Sequence, residues 1–405
     1  MAVPITEHIR AASLAERPTN AAGSESTRIH YLDNLRATAM LLGVYLHSAL
    51  AYAQPAQSVW LATDSGSSTL VDASIWFIHL FRMSLFFLLS GYFAKLVIQK
   101  KGLRLFLCNR ALRIAVPFVT LYPFLLAAMF AVIVFSLSYL DAPRGLMGLI
   151  AESSRDGASA RTGRPLTTMH LWFLYYLLMF AAISAVVSRV SWCQADWLIG
   201  RPMLLVFVPL VLLPAVLAAG IPLPAPESFV PHWWPFVFYG SFYGAGWILY
   251  RREHLLDRLQ PLTWHLVWGS LGAYSAYYAT MPKLDLSLIT AGTISIAAWD
   301  YPLASVLTAY LSVSLTISVL LLGRIYLVRR SPALAFVADS SYWMYLIHLP
   351  VVIFLQVLLI PLDWPAVIKL VLTLLGTTGF CMATYVVFVR YTPIGNLLHG
   401  KRSFP

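Results

Sequence analysis

The chain has 405 residues, of which 59% are hydrophobic and only 11% are charged, and its mean hydropathy is +0.73. Soluble domains carry about 25% charged residues, so this composition excludes an ordinary soluble protein. Apolar runs long enough to cross a hydrocarbon core of about 30 Å recur along the chain, whereas a β-barrel would show short alternating segments. The sequence therefore predicts an all-α, polytopic membrane helical bundle.

Ten transmembrane helices are predicted within a single membrane domain, residues 29–391. In chain order they cover residues 35–54, 74–98, 114–138, 169–187, 203–220, 234–250, 263–280, 303–322, 339–360 and 366–389. Residues 1–28 are polar and alanine-rich and lack the apolar core of a signal peptide, which predicts a disordered cytosolic tail. Residues 392–405 are predicted to form a second cytosolic tail.

The net charge of +11, from 28 Lys and Arg against 17 Asp and Glu, is distributed unevenly along the chain. Most of the basic residues fall in alternate loops and in the two tails. By the positive-inside rule this asymmetry predicts that both termini lie in the cytosol. The excess charge therefore reflects topology in a lipid bilayer, and no nucleic-acid partner is predicted.

The first span carries an arginine and a histidine on one helical face. Arg36 and His47 are eleven residues apart, about three turns and 16 Å along the axis, and Asp33 and Met40 share their stripe. Ionisable side chains within a bilayer are costly, so each one is a functional candidate. A single buried histidine can also serve only to satisfy a carbonyl, but its alignment with Arg36 and Asp33 favours a functional role.

The second span adds His79 and Arg82, which are spaced i, i+3 at a depth close to that of His47. The two helices are predicted neighbours, so three basic groups are expected to meet in the outer half of the bundle. The alternative for Arg82 is a side chain that extends to the membrane interface.

Further candidates lie on later spans. Arg110 and Arg113, in "RALR", are one turn apart at the cytosolic start of the third span and could grip phosphate groups, although the positive-inside rule alone also explains them. His348 precedes Pro350, which frees backbone carbonyls that a histidine could satisfy. At the start of the fourth span, His170 is a further candidate and Trp172 suits either an interfacial belt or a sugar-stacking platform.

Several classes of site have no support in the sequence. The three cysteines are scattered without metal-ligand spacing, so neither a disulfide nor a zinc site is predicted. The spans hold almost no acidic residues away from their ends, which weakens a proton-driven transporter. A basic interior instead suits an anionic ligand.

The ordered set of motifs resembles the acyltransferase-3 family of membrane O-acyltransferases, from about Tyr31 to Arg390. "LDNLRATAMLLGVYLH" is similar to the family's R-x10-H motif, and "RALR" to its R-x-x-R motif. "FFLLSGYF", "HLWFL" and "SYWMYLIHLP" resemble its recurrent second, fourth and late-helix stretches. Within the family, "FIHLFRMSLFFLLSGYF" is most similar to members that succinylate osmoregulated periplasmic glucans.

This resemblance implies a bacterial inner-membrane enzyme that moves an acyl group from cytosolic succinyl-CoA or acetyl-CoA to a periplasmic glucan, with no metal and no tightly bound cofactor. It implies that Arg110 and Arg113 bind the CoA phosphates. His47 would be the general base or the acyl carrier, with Arg36 orienting the donor, and Arg82 would hold the succinyl carboxylate. The remaining substrate or carboxylate candidates are His79, His348, Asp33, His170 and Trp172.

Two other functions stay open at this stage. One is an O-acetyltransferase that acts on lipopolysaccharide or another envelope polysaccharide. The other belongs to a different class, a carrier or flippase for an anionic solute or glycan precursor, which would explain the basic interior but not the ordered motifs.

Overall fold

Twelve helices run through the part of the chain that the computed structural model describes, residues 21–53, 60–155, 166–189, 204–281, 300–329 and 331–395. In chain order they are α1 Ala21–Ala49, α2 Thr69–Lys101, α3 Leu103–Tyr139, α4 Leu146–Arg155, α5 Met169–Val187, α6 Leu204–Ala219, α7 Trp234–Leu249, α8 His254–Leu259, α9 Thr263–Thr280, α10 Asp300–Tyr326, α11 Pro332–Leu359 and α12 Ala366–Arg390. Within these ranges no β-strand forms. The predicted all-α class is confirmed.

Six of these helices, α2, α3, α5, α10, α11 and α12, are long and apolar enough to cross a membrane. The other four predicted spans coincide with α1, α6, α7 and α9. Helices α6 and α7 have 16 residues each and are about 24 Å long, which is less than the hydrocarbon thickness. The membrane character is therefore confirmed, while the count of ten spans and the cytosolic termini stay predictions. Residues 1–20 and 396–405 of the predicted tails lie outside the described residues.

Helix α1 lies at the centre of the bundle and packs against α2, α10, α11 and α12. Helix α2 also packs against α7, and α11 against α3 and α12. Helix α3 turns large apolar side chains outward, with Phe124 72% exposed and Phe130 68% exposed, as expected for a helix that faces lipid. Helix α1, which carries the polar stripe, thus has four helices packed around it.

A buried ion pair anchors the loop between α1 and α2. The ammonium of Lys369, on α12, lies 2.6 Å from a carboxylate oxygen of Asp64, and both side chains are at most 3% exposed. Asp64 also accepts a hydrogen bond from the backbone N–H of Gly66. An unpaired charge at this depth is costly, so the contact fixes this loop against α12.

Helices α2 and α7 approach each other closely because glycines line their crossing. A Cβ atom at Gly91 would lie 1.9 Å from the carbonyl oxygen of Tyr243, and one at Gly246 would lie 1.8 Å from that of Leu88. Small residues are the usual means by which membrane helices bring their backbones together. This contact sets the position of α2, which carries Arg82.

We predict that Gly246→Ala destabilises the protein by about 1–3 kcal/mol, the usual cost of overpacking, because the added methyl must displace the backbone of α2. The melting temperature of the detergent-purified protein measures this effect. Gly244→Ala on the same helix is the matched control, since a Cβ there meets nothing within 4 Å. Equal melting temperatures for the two variants would contradict the close crossing.

Candidate active site

A cavity of about 450 Å³ lies between α1, α2, α3, α5 and α11. Along α2 its lining runs from Arg82 to Val97, fifteen residues or about 22 Å, so the cavity is long and narrow. Eight of the ten predicted site residues line it, namely Arg36, His47, Arg82, Arg110, Arg113, His170, Trp172 and His348. Residues from five helices that are distant in sequence thus share one space.

His47 and His348 form a hydrogen-bonded pair within this cavity. The Nδ1 atom of His47 lies 3.1 Å from Nε2 of His348, and the two rings stack with centroids 5.0 Å apart. Nδ1 of His348 lies 2.8 Å from the carbonyl oxygen of Tyr345 and 3.1 Å from that of Met344. Both ring nitrogens of His348 therefore make hydrogen bonds.

Pro350 explains the position of the third histidine. Because proline has no N–H, the carbonyl of Leu346, four residues earlier on α11, loses its helical hydrogen bond. Nε2 of His170 lies 3.0 Å from that carbonyl oxygen and supplies the missing donor. The sequence had suggested that a histidine satisfies a carbonyl freed by Pro350, and His170 rather than His348 does so.

Four arginines give the cavity a strongly positive lining. Arg36 is partnered, since its guanidinium lies 3.6 Å from Asp33 and donates a hydrogen bond to the carbonyl of Ala338 at 3.3 Å. Asp33 itself does not line the cavity and acts on it through Arg36. A cavity of this charge favours an anionic ligand.

Arg82 is held differently from Arg36, without an ion pair among the described residues. Its Nε is buried and, like that of Arg36, makes no hydrogen bond within the described ranges. Its Nη1 packs against Gly43, where a Cβ atom would be only 3.0 Å away. Gly43 precedes His47 by one helical turn, so the guanidinium lies at a level close to that of the imidazole.

Arg110 and Arg113 lie where α3 changes its winding. A π-helical segment, Ala111–Ala115, begins directly after Arg110, and such segments are frequent at functional sites. The Arg110 guanidinium lies over the ring of Phe106 at 5.1 Å. Both arginines line the cavity and follow the end of α2, which the charge distribution predicts to be cytosolic, by nine and twelve residues.

Two predicted site residues are placed differently from the others. His79 is not among the residues that line the cavity, and its Nε2 lies 2.9 Å from the carbonyl oxygen of Leu223. The predicted meeting of His79 with Arg82 and His47 in one site is therefore not seen. Trp172 lines the cavity but is otherwise buried, with its ring centroid 5.4 Å from that of Tyr239, so it is part of the aromatic core.

Gln356 and Trp60 contact His47 and its backbone, and neither was predicted from the sequence. The Gln356 amide donates to the carbonyls of His47 and Ser48, at 2.9 and 3.0 Å, and accepts from the indole N–H of Trp60 at 2.9 Å. The Trp60 ring lies 5.7 Å from that of His47. Gln356 follows His348 by eight residues, which turns it about 80° around the helix, so the spacing is a weak signal, and Trp60 lies in a loop that gives none.

Comparisons with known proteins identify the family to which the chain belongs. Residues 29–386 match the model of the acyltransferase-3 family, described as an acyltransferase domain. The chain belongs to this family. The matched residues of this acyltransferase include every residue that lines the cavity.

The acyltransferase is also similar to curated relatives named Glucans biosynthesis protein C. Those from Salmonella paratyphi B (strain ATCC BAA-1250 / SPB7), Salmonella agona (strain SL483) and Salmonella enteritidis PT4 (strain P125109) are each 24% identical over 394 residues, covering 92% of this chain and 95% of the relative. The predicted family resemblance is confirmed. No solved structure matches the chain.

A double-mutant cycle separates the structural role of His170 from any role in binding. We predict that His170→Leu destabilises the acyltransferase by about 1–3 kcal/mol, because the Leu346 carbonyl is then buried without a donor. In a Pro350→Ala background the alanine N–H can bond that carbonyl, so His170→Leu should cost less there. Melting temperatures of the four proteins in detergent measure the coupling, and strictly additive losses would contradict this arrangement.

Proposed function

We propose that this acyltransferase uses succinyl-CoA from the cytosol to succinylate hydroxyl groups of a periplasmic glucan, and that it does so in the bacterial inner membrane. One observation carries the proposal: a single long cavity holds an imidazole pair at one position and four arginines along its walls. The family supports acyl transfer, and the name of the curated relatives supports a glucan as the acceptor.

The donor end of the cavity is assigned to Arg110 and Arg113. Planar guanidinium groups bind phosphate oxygens in pairs, and CoA is the only acyl donor of this proposal that carries phosphates. The 22 Å length along α2 gives space for an extended arm that brings a thioester from these arginines toward His47. Arg36, which is anchored by Asp33, orients the donor along the way.

The chemistry is assigned to His47. It takes the proton of the acceptor hydroxyl as the hydroxyl oxygen attacks the thioester carbonyl. The carbon–sulfur bond then breaks, and the proton passes from His47 to the departing CoA thiolate. In a two-step version the acyl group first moves to the imidazole and then to the sugar oxygen. Both versions need a histidine that reaches the cavity, as His47 does.

Arg82 is assigned to the free carboxylate of the succinyl group. That carboxylate is separated by two methylene groups from the carbonyl that reacts. Arg82 is close to Gly43, four residues or about 6 Å from His47 along α1, which is a separation of the same order. Its buried, unpartnered Nε gives it unused donor capacity for an anion.

Release of free CoA from succinyl-CoA in the presence of purified glucan tests the proposed reaction. We predict that the wild-type protein releases CoA and forms a glucan ester, and that His47→Ala loses at least about 100-fold in rate, as for removal of a general base. His265→Ala is the control, because His265 is exposed on α9 and lies outside the cavity. Transport of an anion by the wild-type protein without any CoA release would instead support the carrier.

The choice of acyl group is tested by comparing succinyl-CoA with acetyl-CoA. We predict that Arg82→Ala lowers succinyl transfer by about 10-fold or more and changes acetyl transfer much less, since acetate has no second carboxylate. Arg82→Lys, which keeps the positive charge, should retain part of the preference for succinyl-CoA over acetyl-CoA. An equal loss for both donors would make Arg82 structural, and a wild-type preference for acetyl-CoA would favour the acetyltransferase alternative.

A further inference from the structure

We infer that His348 is a positioning residue that fixes the tautomer of His47, so that Nε2 of His47 is the atom that reacts. The inference goes beyond the proposed function by naming an atom and a partner, and it rests on that function only for the reaction itself. It follows from the hydrogen bonds around the two rings.

The bonds on Nδ1 of His348 determine which of its nitrogens carries the proton. Both of its neighbours, the carbonyl oxygens of Met344 and Tyr345, can only accept hydrogen bonds. Nδ1 must therefore be an N–H donor. A neutral imidazole has a single N–H, so Nε2 of His348 is an acceptor.

The charged and titratable groups around His348 fit a neutral ring. Helix α1 contributes His47 and Arg36 to the cavity, α2 contributes Arg82, and α5 contributes His170. Asp339, the carboxylate among the lining residues, is nine residues away on α11, or about 13 Å along the axis. Among the described residues, no carboxylate contacts the His348 imidazole.

The state of His47 follows from that of His348. Only one hydrogen can lie between the two nitrogens that are 3.1 Å apart, and His348 does not supply it. Nδ1 of His47 therefore carries its proton and donates to His348. Nε2 of His47 keeps its lone pair and has no hydrogen-bond partner in the part of the chain that the structure describes, while the residue lines the cavity.

This arrangement prepares His47 for either version of the reaction. When Nε2 takes the proton of the acceptor hydroxyl, Nδ1–H stays bonded to His348, the new carbon–oxygen bond forms and the carbon–sulfur bond breaks. The same Nε2 proton then goes to the CoA thiolate, which restores the starting tautomer. If His47 carries the acyl group instead, the group is attached to Nε2 and the bond to His348 is again unchanged.

Histidine-selective ¹⁵N NMR of the purified protein tests the inference without requiring any turnover. We predict that the His47 signal, assigned by its loss in His47→Asn, shows a protonated Nδ1 and a bare Nε2. A protonated Nε2 on His47 in the wild-type protein would overturn the inference even if acyl transfer were established. Conversely, the predicted signal with no CoA release would leave the tautomer supported and the proposed function refuted.

Substitutions of His348 supply a second, kinetic readout. His348→Leu removes the acceptor and should lower kcat on the order of 100-fold with little change in KM for succinyl-CoA. His348→Gln offers a side-chain carbonyl oxygen in its place. Its kcat should therefore be at least about tenfold higher than that of His348→Leu. Equal impairment of the two variants, at matched melting temperatures, would show that His348 acts only in packing and would overturn its positioning role.

Discussion

The loss of one backbone hydrogen bond at Pro350 shapes the centre of this molecule. A backbone carbonyl without a hydrogen-bond donor is unfavourable inside an apolar bundle. His170 supplies the donor by hydrogen bonding to the Leu346 oxygen. His348, two residues before the proline, bonds the carbonyls of its own helical turn and reaches His47 with its other nitrogen. Backbone satisfaction and the proposed chemistry thus depend on the same three imidazole rings.

The charged residues of the bundle fall into two groups with different consequences. Lys369 and Asp64 are buried together and neutralise each other, which suits a role in holding the α1–α2 loop. Arg82 has no such counter-ion among the described residues, and its Nε is unpartnered. Charge that is retained without a partner at this depth is expensive for folding, so an anionic substrate is the simplest reason for it.

Much of the candidate site could be predicted from the sequence, because the periodicity of a helix is a local property. The spacing of Arg36 and His47 placed both on one stripe, and the structure puts both in the same cavity. Similarly, the short spacing between Arg110 and Arg113 indicated a shared face. These predictions required no knowledge of how the helices pack.

Other features depend on packing and could not be read from the chain. His79 lies three residues from Arg82, yet its hydrogen bond goes to Leu223 in a distant loop, which no local pattern indicates. The pairing of His47 with His348 joins residues about three hundred positions apart. The number of spans also stays a prediction, since α6 and α7 are shorter than the hydrocarbon thickness and their apolar character alone does not establish that they cross it.

The central claim is that one cavity connects a donor on the cytosolic side with an acceptor on the other side. Vesicles that contain the reconstituted protein, with glucan trapped inside and radiolabelled succinyl-CoA added outside, measure this directly. Label should appear on the enclosed glucan, with an equal amount of free CoA outside, and His47→Ala vesicles should show neither. Labelling only when glucan and succinyl-CoA are supplied on the same side of the membrane would contradict transfer through the cavity.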